Sequence, residues 1–412
     1  MKITDIRMMR LWGPLMHGQG ASTDEMIAKV IVRVDTDSGL YGLGECDDFA
    51  GVRDMIRYIK HYFLGRDPFE VNAIVGELMY ATLPPFPPTA RHGLLAPGLR
   101  AIPSSSPTAT PTGPVVWAVS GVEIALNDLI GKVLKTPVYN LLGGRFRDKV
   151  RIYLDRSSPA DVENLDAWRK MGADAAEAGF RQIKFDIDYT ATDSPGDVWN
   201  HALTTAQINR AVERFGAVRE TVGKDFELCA DCHRQYNIPD SVRVAHALEP
   251  LNLLWLEDPT YGDDFDGYAE VRAKTRIPIC IGEMFIAEQF KEVVSHKAAD
   301  IFHPDILFCG GVREMKRIAD LAELHRLPLA IHGNGGALAT IAAAHVAAAS
   351  RNFLGLEYHF IETPWIGDYV KRVGGTPIFR NGHVEMIDAP GLGIELNTEV
   401  CRMYLAEGEA LF

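Results

Sequence analysis

No run of apolar residues in the chain approaches the 18 or so that a membrane-spanning helix needs, and the N-terminal MKITDIRMMRLWGP has no apolar signal core. A basic excess is missing too. Lys plus Arg number 42 against 55 Asp plus Glu, and the net charge of −13 has the wrong sign for a nucleic-acid-binding surface. Cysteine is scarce: six residues, Cys46, Cys229, Cys232, Cys280, Cys309 and Cys401, lie scattered along the chain. Cys229-x-x-Cys232 has no second pair to complete a zinc site, and residues three apart on a strand face opposite sides. The cysteines therefore read as buried free thiols in a reducing compartment, and the chain as cytoplasmic. What is present is ordinary for a globular protein, 47% hydrophobic and 24% charged residues, and a length of 412 suggests two or three domains.

Residues 1–10 read as a strand, and the Gly-rich and polar stretch 11–25 as a loop. MIAKVIVRVDTDSGLYGLGEC alternates apolar residues around Asp37-Ser38-Gly39, which is a hairpin pattern. Helical spacing follows over 48–80, so the first hundred residues form a small α+β unit. Residues 83–115 hold nine of the 23 prolines and read either as a surface excursion or as a loop covering a site. A long helix follows, then a shorter one opened by Pro137 and ended by Gly143-Gly144.

Beyond residue 150, compact apolar runs alternate with amphipathic segments. The strand candidates are 150–156, 182–187, 227–233, 253–259, 277–283, 301–307, 327–333 and 353–359. Eight such strands, most at intervals of roughly 22 to 30 residues, have the shape of a (β/α)8 barrel, an α/β fold. The polar stretch 190–207 lengthens one interval, Pro and Gly disfavour an eighth helix, and residues 376–412 read as turns and short strands that leave the barrel.

Within this series, Asp231 in ELCADCH, Glu257 in LLWLEDP and Glu283 in IPICIGE are spaced 26 residues apart, each closing an apolar run. One acidic residue so placed is commonly a helix N-cap. Three at equal spacing deliver carboxylates from successive strand ends, and such a cluster needs a cation between its members. An all-oxygen set suits Mg²⁺ or a similar hard ion. The other strand ends offer Lys184, Asp186, His233, Asp305, His332 and Glu357. Asp305, one strand before His332, is placed to orient its imidazole as a general base.

These residues resemble the enolase superfamily, specifically its mandelate racemase group, over nearly the whole chain. GLYGLGEC resembles that family's capping domain, and DLIGKVLKTPVYNLLGG its approach to the barrel. Lys184 to Asp186, the three acidic residues, PDILFCGGV and the His332 strand follow in the family's order. The resemblance implies a modified TIM barrel (131–375) with an N-terminal α+β capping domain (1–130), completed by a returning C-terminal segment (376–412). It also implies a dimer or octamer, Mg²⁺ as cofactor, and a small carboxylate as substrate. Asp231, Glu257 and Glu283 would be metal ligands and His332 with Asp305 the base. Lys184 would bind the substrate carboxylate, with Glu357 hydrogen-bonded to its other oxygen.

One position departs from the pattern. The group usually carries Lys-x-Lys on the second strand, its second Lys serving as the base on the opposite face; here the triplet is Lys184-Phe185-Asp186. Asp186 reads as a weaker second base, a ligand for a substrate hydroxyl, or a partner for Lys184. A single strong base favours β-elimination of water, with protonated His332 or His233 as the acid. The expected activity is a Mg²⁺-dependent dehydratase of aldonates or aldarates. The alternatives are an epimerase or cycloisomerase working through the same intermediate, and a non-catalytic barrel that binds a metal or sugar acid. Specificity is expected from loops 11–25 (with His17) and 46–51 and from segment 83–115 (with Arg91 and His92).

Overall fold

Three antiparallel strands, β1 (Ile3–His17), β2 (Gly20–Thr36) and β3 (Tyr41–Asp47), open the chain in the sheet order β1-β2-β3. The structure is a computed structural model and describes residues 1–17, 20–79, 113–156, 158–159, 161–187, 202–360 and 363–412, with the backbone alone for 16–17 and 20–25. The turn at 37–40 is the expected hairpin: Gly39 takes φ 81° and donates its N–H to Thr36 O at 3.1 Å. The expected loop at 11–25 is instead a continuation of the β1–β2 ribbon, paired through Trp12↔Ala28 to His17↔Gly20. Apolar alternation reveals only strands with a packed face, whereas ladder hydrogen bonds need no particular side chains. A register shift falls between Pro14 and Met16, where a residue without an N–H interrupts the ladder.

Helices α1 (Val52–Phe63), α2 (Val71–Met79) and α3 (Pro114–Val133) close one face of this sheet. Ile6, Val30, Val32, Ile56, Ile74, Val122 and Leu126 meet in its core. Helix α3 lies almost on the backbone of β3. A Cβ on Gly42 would stand 1.9 Å from Ala125 O, and one on Gly44 1.9 Å from Gly121 O. Among the described residues α3 is the one helix long and apolar enough to cross a membrane, and it is largely buried in this core. The short helix α4 (Val138–Leu141) follows, with Pro137 at its N-cap and Gly143 and Gly144 at positive φ after it. The Pro-rich segment, including Arg91 and His92, lies outside the described residues except at its C-terminal end.

The barrel alternates strand and helix: β4 (Lys149–Asp155), α5 (Leu165–Glu177), β5 (Gln182–Asp186), α6 (Thr205–Val222), β6 (Glu227–Asp231), α7 (Ile238–Leu248), β7 (Trp255–Glu257) and α8 (Phe265–Lys274). Then come β8 (Ile279–Ile281), α9 (Ala287–His296), β9 (Ile301–Phe302), α10 (Val312–Leu324), β10 (Leu329–Ile331), α11 (Ala337–Ala348) and β11 (Phe353–Tyr358). Parallel pairing of β11 with β4 closes the ring, so all eight expected strands are present. Between β11 and β12 (Val370–Arg372) the described residues hold one short helix, α12 (Pro364–Asp368), where the Pro and Gly disfavoured a full-length one.

The chain does not simply leave the barrel after residue 376. Strand β13 (His383–Glu385) pairs antiparallel with Lys149–Arg151 of β4, covering the stretch before β11 takes over at Ile152. An otherwise open edge is thereby paired. Strand β14 (Ile394–Leu396) pairs with β12 and α13 (Thr398–Met403) follows. The terminus then reaches the capping sheet, where Ala406 donates its N–H to Arg10 O at 2.9 Å.

Inside the ring, Tyr153, Cys229, Trp255, Cys280, Ile301 and Ala330 form a buried layer that plugs the barrel. Side chains two residues further along a strand point the same way, one step nearer the C-terminal mouth. That rule alone places Asp155, Asp231, Glu257, His303 and His332 above the plug, with Lys184 and Glu357 level with them on β5 and β11.

Candidate active site

Strand register sets the site's geometry. Asp186, Asp231 and Glu257 stand side by side across β5, β6 and β7. Glu283 lies two residues past β8, after Gly282 turns the chain at φ 122°. One oxygen each from Asp231, Glu257 and Glu283 can be chosen so that all lie within 4.8 Å of one another, and all three residues are buried.

Lys184 is the buried cation of this cluster. Its Nζ is 2.8 Å from Glu257 Oε1, 3.1 Å from Asp231 Oδ2, 3.1 Å from Glu357 Oε2 and 3.3 Å from Asp155 Oδ2. Asp186 is not one of these four carboxylates. The Asp186 carboxylate gathers with the Asp231 carboxylate and the His233 imidazole. Burial alone would lower the Lys184 ammonium, but Glu257, Glu357, Asp231 and Asp155 hold it well above its ordinary value.

His332 and Asp305 come together as expected. His332 Nδ1–H donates to Asp305 Oδ2 at 2.6 Å, which leaves Nε2 3.1 Å from Glu283 Oε2 and 3.7 Å from Glu357 Oε1. Asp305 also accepts the Leu307 N–H at 2.6 Å and the Asn334 N–H at 3.1 Å, so its carboxylate is fixed in orientation. Burial lowers the His332 imidazolium, but Glu357, Glu283 and the Asp305 hydrogen bond raise it well above the usual histidine range. Glu283 belongs to the carboxylate triad, so a cation there and a proton on His332 draw on the same negative charge.

His233 follows Asp231 in a left-handed conformation (φ 44°), as does Arg234 (φ 61°). Successive non-glycine residues in this region mark a backbone held by its surroundings. The His233 N–H donates to Asp231 Oδ1 at 2.8 Å, and its ring Nε2, partly exposed, lies 3.5 Å from Asp231 Oδ2. Arg234 donates to Glu283 Oε1 at 2.5 Å. The side chain of His17 lies outside the described residues.

Several groups of the site were not singled out from the sequence. Tyr153 Oη–H donates to Glu357 Oε2. His303, fully buried, has Nε2 3.2 Å from Glu257 Oε1 and 3.4 Å from Glu357 Oε2. His359 Nε2 is 2.6 Å from Glu357 Oε1. Alternation held the signal for three: Asp155 ends the first barrel strand, His303 lies two before Asp305, and His359 two after Glu357.

Charge balance tests whether a cation fits. Burial first, then Glu257, pushes the Asp231 carboxyl well above its ordinary value. Glu283 goes the other way, to about 2: burial would raise it, but His332 and Arg234 outweigh that. Asp231 Oδ2 is buried, with Lys184 near but no aligned hydrogen bond among the described residues. Asp231 is thus the carboxylate short of counter-charge, and the all-oxygen set around it is what a hard divalent ion takes. The other groupings of the site include a histidine or cysteine and suit softer metals.

A family profile described as "Mandelate racemase / muconate lactonizing enzyme, N-terminal domain" matches residues 14–143, and one described as "Enolase C-terminal domain-like" matches residues 168–400. The chain is 33% identical to the D-xylonate dehydratase of Haloferax volcanii over 93% of its own length and 87% of that protein's. It is 28% identical to the D-galactonate dehydratase of Cronobacter sakazakii, covering 90% of this chain and 89% of that one. Among solved structures, a mandelate racemase/muconate lactonizing enzyme-like protein from Rubrobacter xylanophilus superposes with a TM-score of 0.85 at 35% identity, covering 100% of this chain and 99% of that one.

Proposed function

The chain belongs to the enolase superfamily, in its mandelate racemase/muconate lactonizing enzyme group, and from that premise we propose that it is an acid-sugar dehydratase. It takes an aldonate or aldarate with hydroxyls on C2 and C3, removes the C2 proton and eliminates the C3 hydroxyl to give a 2-keto-3-deoxy acid. The observation that carries this reading is the orientation of His332: Nδ1 bound to Asp305 at 2.6 Å, and Nε2 turned to the edge of the carboxylate triad.

Asp231, Glu257 and Glu283 would hold the metal, with Mg²⁺ the ion their oxygens suit. When bound, the ion anchors the substrate carboxylate and offsets negative charge that develops there. His332 Nε2 takes the C2 proton, and the electron pair left behind moves into the carboxylate to form an enediolate. The Lys184 ammonium, buried beside Glu257 and Asp231, stabilises that charge where water cannot screen it. The electron pair then returns to form the C2–C3 double bond as the C3 hydroxyl departs with a proton from His332 or His233. The resulting enol tautomerises to the 2-keto acid. Glu357, held by Tyr153, Lys184 and His359, faces the other side of the substrate carboxylate. Asp186 stands where a second lysine base would be needed for racemisation, and a carboxylate beside Asp231 is a poor base for so weak an acid.

The test is a panel of aldonates and aldarates incubated with the protein and Mg²⁺, with 2-keto acid detected colorimetrically and C2–H exchange followed by NMR in D₂O. Turnover of at least one acid, lost in His332→Asn and in Asp231→Asn, is the expected result. Exchange without 2-keto acid would instead identify an epimerase or cycloisomerase. Absence of both across the panel, or full activity in Asp231→Asn, would overturn the reading.

A further inference from the structure

Strand β3 of the capping sheet sends two carboxylates, Glu45 and Asp47, to the same side. Both cross to the barrel and meet one segment, the residues that follow β10 and carry His332. Glu45 Oε1 accepts the Gly336 N–H at 2.5 Å, and its Oε2 accepts the Ala339 N–H at 2.9 Å and the Tyr369 Oη–H at 2.5 Å. The first turn of α11 is thereby capped from the other domain. Asp47 Oδ2 accepts the Asn334 side-chain N–H at 2.9 Å, while Oδ1 pairs with Lys29 Nζ at 2.5 Å. Lys29 stands opposite Asp47 on β2 and also donates to Asn334 O at 2.6 Å. From Asn334 the path runs on: its backbone N–H donates to Asp305 Oδ2 at 3.1 Å, the oxygen that holds His332 Nδ1 at 2.6 Å.

Lys29 and Asp47 are both almost completely buried. Apolar residues of the same bulk would hold the two layers together at least as well, because a buried ion pair loses much of its attraction to desolvation. What the ion pair adds is direction. It fixes both the carbonyl and the side-chain amide of Asn334, and so aims the Asn334 N–H at Asp305. We propose that Lys29, Asp47 and Asn334 are positioning residues, through which the capping sheet sets the geometry of the Asp305–His332 pair. Capping and base formation are then a single event: the base reaches its working orientation only against an assembled cap. The proposal rests on the reading of His332 as the base.

The test uses the full-length protein with Mg²⁺. The Lys29→Met/Asp47→Leu double variant removes both charges and leaves an apolar pair, and Asn334→Ala removes the side-chain link to Asp47 Oδ2 while keeping both charges of the buried ion pair. Both should lower kcat by about tenfold or more with KM within roughly threefold, as expected when a reacting group is misplaced and substrate binding is not. Backbone amides of residues 332–339 should exchange with D₂O about tenfold faster in the double variant. A rise in KM at constant kcat would overturn the proposal by making these residues substrate contacts. So would unchanged kcat together with unchanged amide exchange. Should the double variant fail to fold, Asn334→Ala carries the test. If the wild-type protein turns over no acid sugar, the assignment of His332 fails, whereas the amide exchange still reports on the clamp.

Discussion

Replacing Asp305 by Asn changes one atom, and the structure fixes what that atom does. Three donors converge on the Asp305 carboxylate: the Leu307 N–H on Oδ1 at 2.6 Å, and on Oδ2 the His332 Nδ1–H at 2.6 Å and the Asn334 N–H at 3.1 Å. An amide has one accepting oxygen, so it cannot satisfy both sides. If its oxygen faces Leu307, its NH₂ meets the Asn334 N–H and His332. The imidazole can answer only by accepting at Nδ1, which moves its proton to Nε2. That is the nitrogen that must be free to act as a base. If the oxygen faces His332 instead, the buried Leu307 N–H loses its acceptor, at a cost of about 1–3 kcal/mol. The first arrangement removes the base, so kcat for 2-keto acid formation should fall by roughly 10²- to 10⁴-fold, equivalent to about 3–5 kcal/mol of transition-state stabilisation. KM should stay within about threefold, because Asp305 is not placed to touch substrate. Steady-state kinetics at saturating Mg²⁺ give the split between kcat and KM, C2–H exchange in D₂O isolates the proton-transfer step, and urea unfolding gives the stability change. A variant that is folded and retains kcat within about threefold would refute the role of His332 as an oriented base.

Other consequences follow from single features. His345 is buried with Nδ1 accepting the Tyr139 N–H at 3.1 Å, and burial lowers its pKa from 6.5 to about 4. A histidine depressed in the folded state contributes stability that is complete above the unfolded value and is lost as pH falls from 6.5 towards 4. The loss by pH 5 should be about 2 kcal/mol in denaturant titrations and absent from His345→Gln; equal slopes in the two proteins would exclude His345 as the source. Gly42→Ala places a methyl group 1.9 Å from Ala125 O on the face where α3 meets β3. It should lower stability by about 1–3 kcal/mol or more, read as a drop in Tm, and an unchanged Tm would mean that the helix moves freely off the strand. If Asp231, Glu257 and Glu283 hold the ion, Mg²⁺ at 100 times its Kd should stabilise the fold by about 2.7 kcal/mol, an effect that chelator and Asp231→Asn both abolish. Equal stabilisation of the variant would move the ion elsewhere.

How much of this was legible in the sequence depends on which physical rule carries each signal. The eight barrel strands are buried on both faces, so each appears as a compact apolar run, and the helices between them keep the runs apart. The equal spacing of Asp231, Glu257 and Glu283 is the length of a strand–helix unit, and the fold brings their oxygens within 4.8 Å of one another. The 11–25 ribbon was illegible for the opposite reason. Its sequence, LWGPLMHGQGASTDE, mixes Gly and polar residues without a sustained apolar period, while the ladder itself forms through the backbone. The return of β13 to β4 was hidden too, because a three-residue strand that covers an edge has no apolar period of its own.

The residues missed at the site, Asp155, His303 and His359, differ from those found by a rule that was available but applied only in part. Reading the ionisable residues at strand ends finds two groups on β5 and around β6, Lys184 with Asp186 and Asp231 with His233, but only one at each of the other strands read. Applying the two-residue alternation to every strand finds two levels, and the lower level explains the upper. Tyr153 reaches up from the plug to Glu357, and His303, one step above it, lies against both Glu257 and Glu357, with Lys184 pinned between the same two carboxylates. Four carboxylates around one lysine leave negative charge unmatched, and Asp231, whose carboxyl is raised well above its ordinary value, is where that shortage falls. A cation held by Asp231, Glu257 and Glu283, as proposed, would supply positive charge where that shortage falls, beside the oriented histidine.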